Sequence, residues 1–258
     1  GLSANSDNAG NGFLKSSAVN LGLTGVVNLN SKNTFSLGLL SSFNQSTINP
    51  ESISWGTQFN GTSYDSNLPS YESFARNQFS YFDFSAGLVW SYSKKERRIA
   101  SYDEARFQIG AAAYHLTTPN LYKGIEQDEL FMRYAFYGKG FFGLSQSNMA
   151  LVPNLLVQLQ GPNVEVIAGT YFRIRIKEAS KFTGFVKESA FSLGANYRYG
   201  DAISPMILFE LSSYAIGLSY DLNMSKLTPA TNMRGGFEVT LRFLNPSPFL
   251  NKSHVPSL

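Results

Sequence analysis

Apolar and polar residues alternate along most of this chain, and that period of two constrains its fold more than any other feature. Residues 191–199 carry apolar side chains at the odd positions and Ser, Gly, Asn or Arg at the even positions. Residues 214–224 repeat the pattern with the parity reversed. Successive side chains of a β-strand point to opposite faces, so the alternation predicts strands whose two faces meet different surroundings.

The composition favours a membrane-embedded sheet over a soluble one. Only 15% of the 258 residues are charged, against roughly 25% in an average soluble domain. No apolar run approaches the ~20 residues that a membrane-spanning helix needs, whereas a β-barrel dilutes its apolar residues with polar ones that face inward. The absence of cysteine excludes disulfides, thiol catalysis and cysteine metal sites. A net charge of +3 gives no support for nucleic-acid binding.

Turn residues divide the chain into about eleven complete strands after a short stub at the N-terminus. We predict an all-β, antiparallel transmembrane β-barrel over residues 1–243, with about 12 strands visible, followed by an extended, proline-containing tail at 244–258. The predicted strands are 13–29, 34–44, 82–92, 105–116, 130–144, 149–160, 164–177, 189–200, 204–211, 214–224 and 233–243.

The two faces of these strands differ sharply in charge. The face predicted to meet lipid is apolar, as in Phe82, Phe84, Leu88, Trp90 and Tyr92. The inward face is predicted to hold the charges Asp83, Arg106, Arg133, Glu165, Arg173, Arg175, Arg198, Glu210, Asp221, Glu238 and Arg242. Charge on a lipid face costs ~2–4 kcal/mol at the bilayer midplane, which explains such segregation. A soluble β-sandwich alternates in the same way and is the alternative, although its solvent faces would carry more Lys and Glu.

Interfacial tyrosines and loop lengths complete the barrel prediction. We expect a girdle of aromatic residues where the wall meets the lipid headgroups, formed by Tyr92, Tyr114, Tyr134, Tyr197 and Tyr214. If the last strand ends in the periplasm, the long 45–81 segment and the 117–129 and 225–232 connections lie outside the cell.

The C-terminal third carries motifs that resemble a known family. They are Tyr197-Arg198-Tyr199-Gly200-Asp201, then Ser219-Tyr220-Asp221 followed by Ser225-Lys226-Leu227, and finally Gly235-Gly236-Phe237-Glu238. Together they resemble the PorP/SprF family, outer-membrane proteins of the type IX secretion and gliding machinery. The resemblance implies two further strands before Gly1, which would make fourteen.

The resemblance also implies a function and partners. It implies a non-enzymatic component of the Gram-negative outer membrane that binds a secreted cell-surface adhesin through its C-terminal signal domain, and that contacts outer-membrane lipid. A periplasmic OmpA-like lipoprotein, or components of the secretion motor, are the other implied partners. No cofactor is implied.

Candidate contact residues lie in the loops and in the lumen. The 45–81 segment is rich in aromatic residues and could form either a plug or a binding surface. The candidates for partner binding are Trp55, Phe59, Tyr71, Phe74, Tyr122 and Lys226. For the lumen we predict a ladder of charges across the wall, formed by Arg173, Arg175, Arg198, Asp221, Glu238 and Arg242.

Two other function classes remain open, and a third finds no support. One is an outer-membrane transporter, either porin-like or for hydrophobic substrates, which could use Arg173, Arg175 and Lys177 for anion selectivity if it has a pore. The other is a purely structural anchor, which would need no ligand. The third class, an enzyme, finds no catalytic motif. His115 could in principle act as a base for Ser91 or Ser101, but no motif supports such a pair, and His254 lies in the tail.

Overall fold

A single antiparallel sheet contains all twelve strands of the part of the chain that the structure describes. The computed structural model describes residues 1–9, 14–50, 53–72, 77–94, 104–120, 129–177, 188–226 and 228–243. Twelve strands follow one another in the sheet in the order in which they occur in the chain. They are β1 Leu2–Ala9, β2 Leu14–Asn28, β3 Asn33–Ile48, β4 Gln78–Lys94, β5 Ala105–Tyr114, β6 Arg133–Gly143, β7 Met149–Gln160, β8 Asn163–Lys177, β9 Ser189–Arg198, β10 Ala202–Leu211, β11 Tyr214–Asn223 and β12 Arg234–Phe243.

The predicted strands are confirmed, with one notable difference in length. β3 and β4 extend further than predicted, pairing up to Thr47 and Gln78, so the connection between them shrinks from 45–81 to 49–77. The end of β3 reads Gln45-Ser46-Thr47-Ile48, and its outer face there carries the polar residues Gln45 and Thr47. A pattern of hydrophobic alternation cannot detect a strand where both faces meet water. The stub at the N-terminus is β1, which pairs with β2 from Leu2 to Ala9.

The sheet curls around an internal space. One cavity of about 990 Å³ is lined by residues of eight strands, from Ser91 on β4 to Arg242 on β12. A flat sheet would hold β4 and β12 far apart, since neighbouring strands lie about 4.8 Å from each other. The fold is therefore an all-β sheet of the β-barrel type, and the single sheet excludes the β-sandwich. β1 and β12 form the two ends of the sheet.

The barrel has two rims that carry different connections. We name the end with connections 49–77, 161–162 and 224–233 the loop rim, and the end with connections 29–32 and 212–213 the turn rim. The loop-rim connection before β12 contains one helical turn, Thr228–Thr231. Among the described residues, no helix has the length and apolar character needed to cross a membrane.

Close packing on the inner wall depends on glycine. A Cβ atom at Gly194 would overlap the Thr170 carbonyl oxygen and the Tyr171 ring on β8. A Cβ atom at Gly110 would likewise overlap the Tyr137 ring on β6. These glycines let large aromatic side chains lie flat against the neighbouring strand, which thins the wall and leaves room in the lumen. The tail at 244–258 lies outside the described residues.

Candidate functional site

The strand register places the intramembrane charges on one face. Arg106 faces Phe141 across β5 and β6, Glu165 faces Gln158, and Arg173 faces Ser192. When the register is followed from strand to strand, all eleven charged residues that were predicted to point inward lie on this one face, the inner face of the barrel. The Asp83 side chain is almost fully buried there, with 3% of the residue exposed.

The opposite face is apolar and exposed. Leu37, Leu193 and Leu241 are 60%, 56% and 75% exposed. Monomeric soluble proteins rarely expose a contiguous apolar surface of this extent, whereas a barrel wall in lipid requires it.

Two aromatic belts bound the apolar face. Near the turn rim, Trp90 packs on Phe35 and Phe107, and Tyr214 packs on Phe243. Near the loop rim, aromatic contacts join Phe43 to Phe82 and Tyr197 to Tyr199. Phe82 and Tyr92 are ten residues apart on β4, about 33 Å along the strand, which a tilt of ~40° reduces to a height of about 25 Å. That height matches the apolar band of outer-membrane barrels.

One predicted girdle residue is wrong. Tyr114 lies on the inner face, where the Arg133 guanidinium carbon is 4.5 Å from the centre of its ring. Even-numbered residues of β5 point inward, and Tyr114 is the last of them. Tyr92, Tyr134, Tyr197 and Tyr214 lie on the outer face, as expected.

A chain of ion pairs crosses the turn-rim half of the lumen. Arg173 on β8 contacts the Glu188 and Glu210 carboxylates, each at 2.7 Å. Glu210 on β10 also accepts a hydrogen bond from Arg242 on β12, at 3.0 Å. The chain thus passes over β9 and β11, whose facing residues are small. Ala190 and Ser192 on β9 leave space above the wall for the Arg173 side chain.

A second cluster lies at the loop rim and is organised by one arginine. The Arg198 guanidinium is 2.7 Å from Asp201, 3.6 Å from Asp221 and 3.9 Å from Glu165. Asp221 also accepts a hydrogen bond from Ser204. Glu238 does not join this cluster; its carboxylate accepts a hydrogen bond from Ser219 at 3.4 Å. Among the described residues, the predicted lumen charges thus contribute to an ion-pair chain near the turn rim and to a cluster around Arg198 at the loop rim.

His115 has a structural partner. Its Nδ1 atom is 2.8 Å from the buried Asp83 carboxylate, which also accepts a hydrogen bond from Thr117 at 3.0 Å. These contacts tie the start of the 115–132 connection to β4. Ser91 lies eight residues from Asp83 along β4, about 26 Å away at ~3.3 Å per residue, so it is out of reach of His115. Ser101 lies outside the described residues.

The connection between β3 and β4 folds on itself at the loop rim. Gln58 is 8% exposed, and its side chain donates to the Leu68 carbonyl at 3.0 Å and accepts from the Trp55 amide at 3.3 Å. Phe59 pairs with Tyr64 across a turn. The result is a compact unit, which we call the 53–72 loop.

This loop presents aromatic side chains to solvent. Tyr71 is 84% exposed and Phe59 56%, while Trp55 is half-buried. Tyr71 has a positive φ of 58°, a conformation that bulky side chains rarely adopt. Lys226 is exposed in a different connection, where Asn223 accepts hydrogen bonds from Ser225. Phe74 and Tyr122 lie outside the described residues.

Sequence reasoning missed three residues that organise these regions. Gln58 holds the 53–72 loop together, Glu188 ends the ion-pair chain, and Lys139 points into the cavity. The Asn60-Gly61 dipeptide signals a hairpin turn and could have located the Phe59–Tyr64 pairing. Gly61 has a φ of 93°, which glycine adopts without strain. Among the described residues, no group of three or more His, Cys, Asp or Glu side chains could hold a metal ion.

Comparison with known families identifies the chain. The model of the family described as "Type IX secretion system membrane protein PorP/SprF" matches residues 1–243. The match covers all twelve strands, so the chain belongs to this family and is a membrane component of the type IX secretion system, located in the outer membrane. No curated protein gives a significant match to the chain.

Proposed function

We propose that this member of the PorP/SprF family binds a secreted cell-surface adhesin by its C-terminal signal domain and supports the secretion and surface attachment of that adhesin. Gliding motility is the process that such an adhesin would serve. An OmpA-like lipoprotein or the secretion motor would contact the barrel from the periplasm. The family assigns the secretion system, and the shape of the loop rim supports the narrower role.

The observation that carries the proposal is the 53–72 loop. Exposed aromatic side chains dominate the binding energy of many protein interfaces. Here they stand on a loop that internal hydrogen bonds already hold in place: besides the Gln58 contacts, Thr57 donates to the Ser70 carbonyl at 2.8 Å. A preformed loop loses little conformational entropy on binding, so more of the contact energy appears as affinity.

The conformation of Tyr71 supports a binding role independently. A positive φ costs a non-glycine residue roughly 1–2 kcal/mol. Tyr71 nonetheless occupies such a position with its ring almost entirely in solvent. Nothing in the fold of the loop benefits from an exposed ring, whereas a partner that packs on the ring would.

The test is binding of an isolated adhesin C-terminal domain to the full barrel in lipid nanodiscs. We expect Phe59→Ala and Tyr71→Gly each to weaken binding roughly tenfold, the ordinary effect of losing one aromatic anchor. Tyr71→Gly removes the backbone strain, so the loop should keep its fold while binding falls. Gln58→Ala should also weaken binding, because it removes the hydrogen bonds that hold the loop folded although both aromatic residues are still present.

Tyr199→Ala is the matched control. Tyr199 is a loop-rim aromatic residue that is 76% exposed but lies outside the 53–72 loop, so we expect unchanged binding. An intact barrel that fails to bind the domain would contradict the adhesin role. Unchanged affinity in the Phe59 and Tyr71 variants would contradict the loop as the contact surface.

A porin-like transporter is the competing function, and the lumen cavity is the observation that favours it. Planar bilayer recordings separate the two. We expect the barrel that binds the adhesin domain to lack a steady open conductance, whereas a stable conductance would favour transport.

A further inference from the structure

The turn-rim half of the lumen encloses a cavity that the loop-rim proposal does not use. Its volume of about 990 Å³ lies at the upper end of the ~300–1,000 Å³ typical of ligand sites. It is bounded by the turn-rim ends of the strands, from Ser91–Ser93 on β4 to Arg106 on β5 and Arg242 on β12.

The cavity wall is strongly cationic. Five basic side chains line it against three carboxylates, a formal excess of two positive charges, in a chain whose net charge is +3. The basic residues are Arg106, Lys139, Arg173, Arg175 and Arg242, and the acidic ones are Glu104, Glu188 and Glu210. The cavity thus carries a positive formal charge in a concave space, and such a space focuses the electric field on a ligand.

The carboxylates of the cavity are already engaged. Glu188 and Glu210 contact Arg173, Glu210 also contacts Arg242, and Glu104 contacts Arg106 at 2.8 Å. Lys139 is exposed to the lumen and has no ion pair among the described residues. Its neighbours in the register, Gln108 and Asn154, are uncharged. The Lys139 ammonium is therefore available to a ligand.

The same wall disfavours a uniform polyanion. Glu104, Glu188 and Glu210 would repel a polyphosphate or nucleic-acid backbone, while a peptide can place its own carboxylates selectively. Ser91, which accepts a hydrogen bond from Gln108 at 3.3 Å, and Ser192 offer neutral hydrogen-bonding groups suited to a peptide backbone. We infer that this cavity binds an acidic peptide segment, whose carboxylates contact Lys139 and Arg106. The inference goes beyond the proposed adhesin role and stands or falls independently of it.

The test uses the full barrel in detergent micelles and a fluorescent hexapeptide in which Glu and Ser alternate, with binding measured by fluorescence anisotropy. We expect saturable binding that weakens as ionic strength rises, and we expect no competition from the corresponding peptides in which Gln or Lys replaces each Glu. Competition by the Gln-Ser peptide as strong as by the unlabelled Glu-Ser peptide would overturn the inference. Equally strong competition by an oligonucleotide of the same charge would overturn the assignment to a peptide.

Two substitutions with opposite expected effects on affinity distinguish a direct effect on binding from misfolding, which could only weaken binding. Lys139→Gln should weaken binding roughly tenfold, because it removes a charge-assisted contact. Glu104→Gln should tighten binding several-fold, since it removes a competing carboxylate beside Arg106. Lys32→Gln is the matched control, as Lys32 lies in the turn-rim connection 29–32 outside the cavity lining and should bind like the wild type. Unchanged affinity in both the Lys139 and Glu104 variants would show that the peptide binds elsewhere.

Discussion

At the scale of single residues, the sequence predicts which face a side chain occupies but not which partner it contacts. Parity alone placed Arg173 on the inner face. Its contact with Glu210 could not be predicted, because Arg173 reaches past β9 to β10. That reach depends on the small residues Ala190 and Ser192 and on the register between three strands. Glu238 is a second example. Its inward face was predicted, but its side chain contacts Ser219 and not an arginine.

Loss of Arg173 should destabilise the turn-rim half of the lumen. Arg173→Gln removes two ion pairs and leaves Glu188 and Glu210 facing each other across the space it filled. Because Arg173 is only 16% exposed, we expect a loss of about 2 kcal/mol in the free energy of unfolding. Urea unfolding of the barrel in lipid vesicles, followed by tryptophan fluorescence, measures this change.

Arg234→Gln provides the comparison for that experiment. Arg234 is an exposed arginine on β12 with no ion pair among the described residues, and its loss should change stability by less than about 0.5 kcal/mol. Equal effects of the two substitutions would contradict a stabilising role for the ion-pair chain.

At the scale of elements, strand positions follow from periodicity, whereas connections do not. The eleven complete strands were predicted because lipid on one side and the lumen on the other impose a period of two. Beyond the membrane the outer face also meets water and becomes polar, with Gln45 and Thr47 on β3 and Gln78 and Ser80 on β4, so the apolar lipid face that marks a strand ends there. The internal fold of the 53–72 loop depends on the buried amide of Gln58, a residue type that hydrophobic patterns ignore.

Glycine positions on the inner wall test the packing of the strands. Gly194→Ala would drive a methyl group into the Thr170 carbonyl oxygen and the Tyr171 ring, so β8 and β9 must separate locally. We expect a loss of about 2 kcal/mol or more, as for other overpacked sites, seen as a lower urea midpoint.

Gly138→Ala is the control substitution on β6. No heavy atom lies within 4 Å of a Cβ built at Gly138, and we expect stability to be unchanged or slightly higher. A Gly194 variant as stable as the wild type would contradict the close approach of β8 and β9.

At the scale of the whole molecule, the difference between the apolar outer face and the charged inner face accounts for both the fold and the location in a membrane. The wall has an apolar outer face bounded by two aromatic belts and an inner face that holds all eleven charges predicted for it. The family assignment over residues 1–243 agrees with this architecture. The adhesin-binding role that we propose does not follow from the alternation, which every barrel shares; the proposal rests on the family and on the 53–72 loop.

The central claim is that lipid contacts one face of every strand and water or a ligand the other. The chain contains no cysteine, so single-cysteine variants at positions 34–44 of β3 can each carry one spin label. In lipid vesicles, we predict that labels at 35, 37 and 39 are accessible to oxygen, labels at 36, 38 and 40 to a polar nickel reagent, and that the two profiles alternate out of phase. Equal access of the polar reagent to both sets of positions would contradict the account.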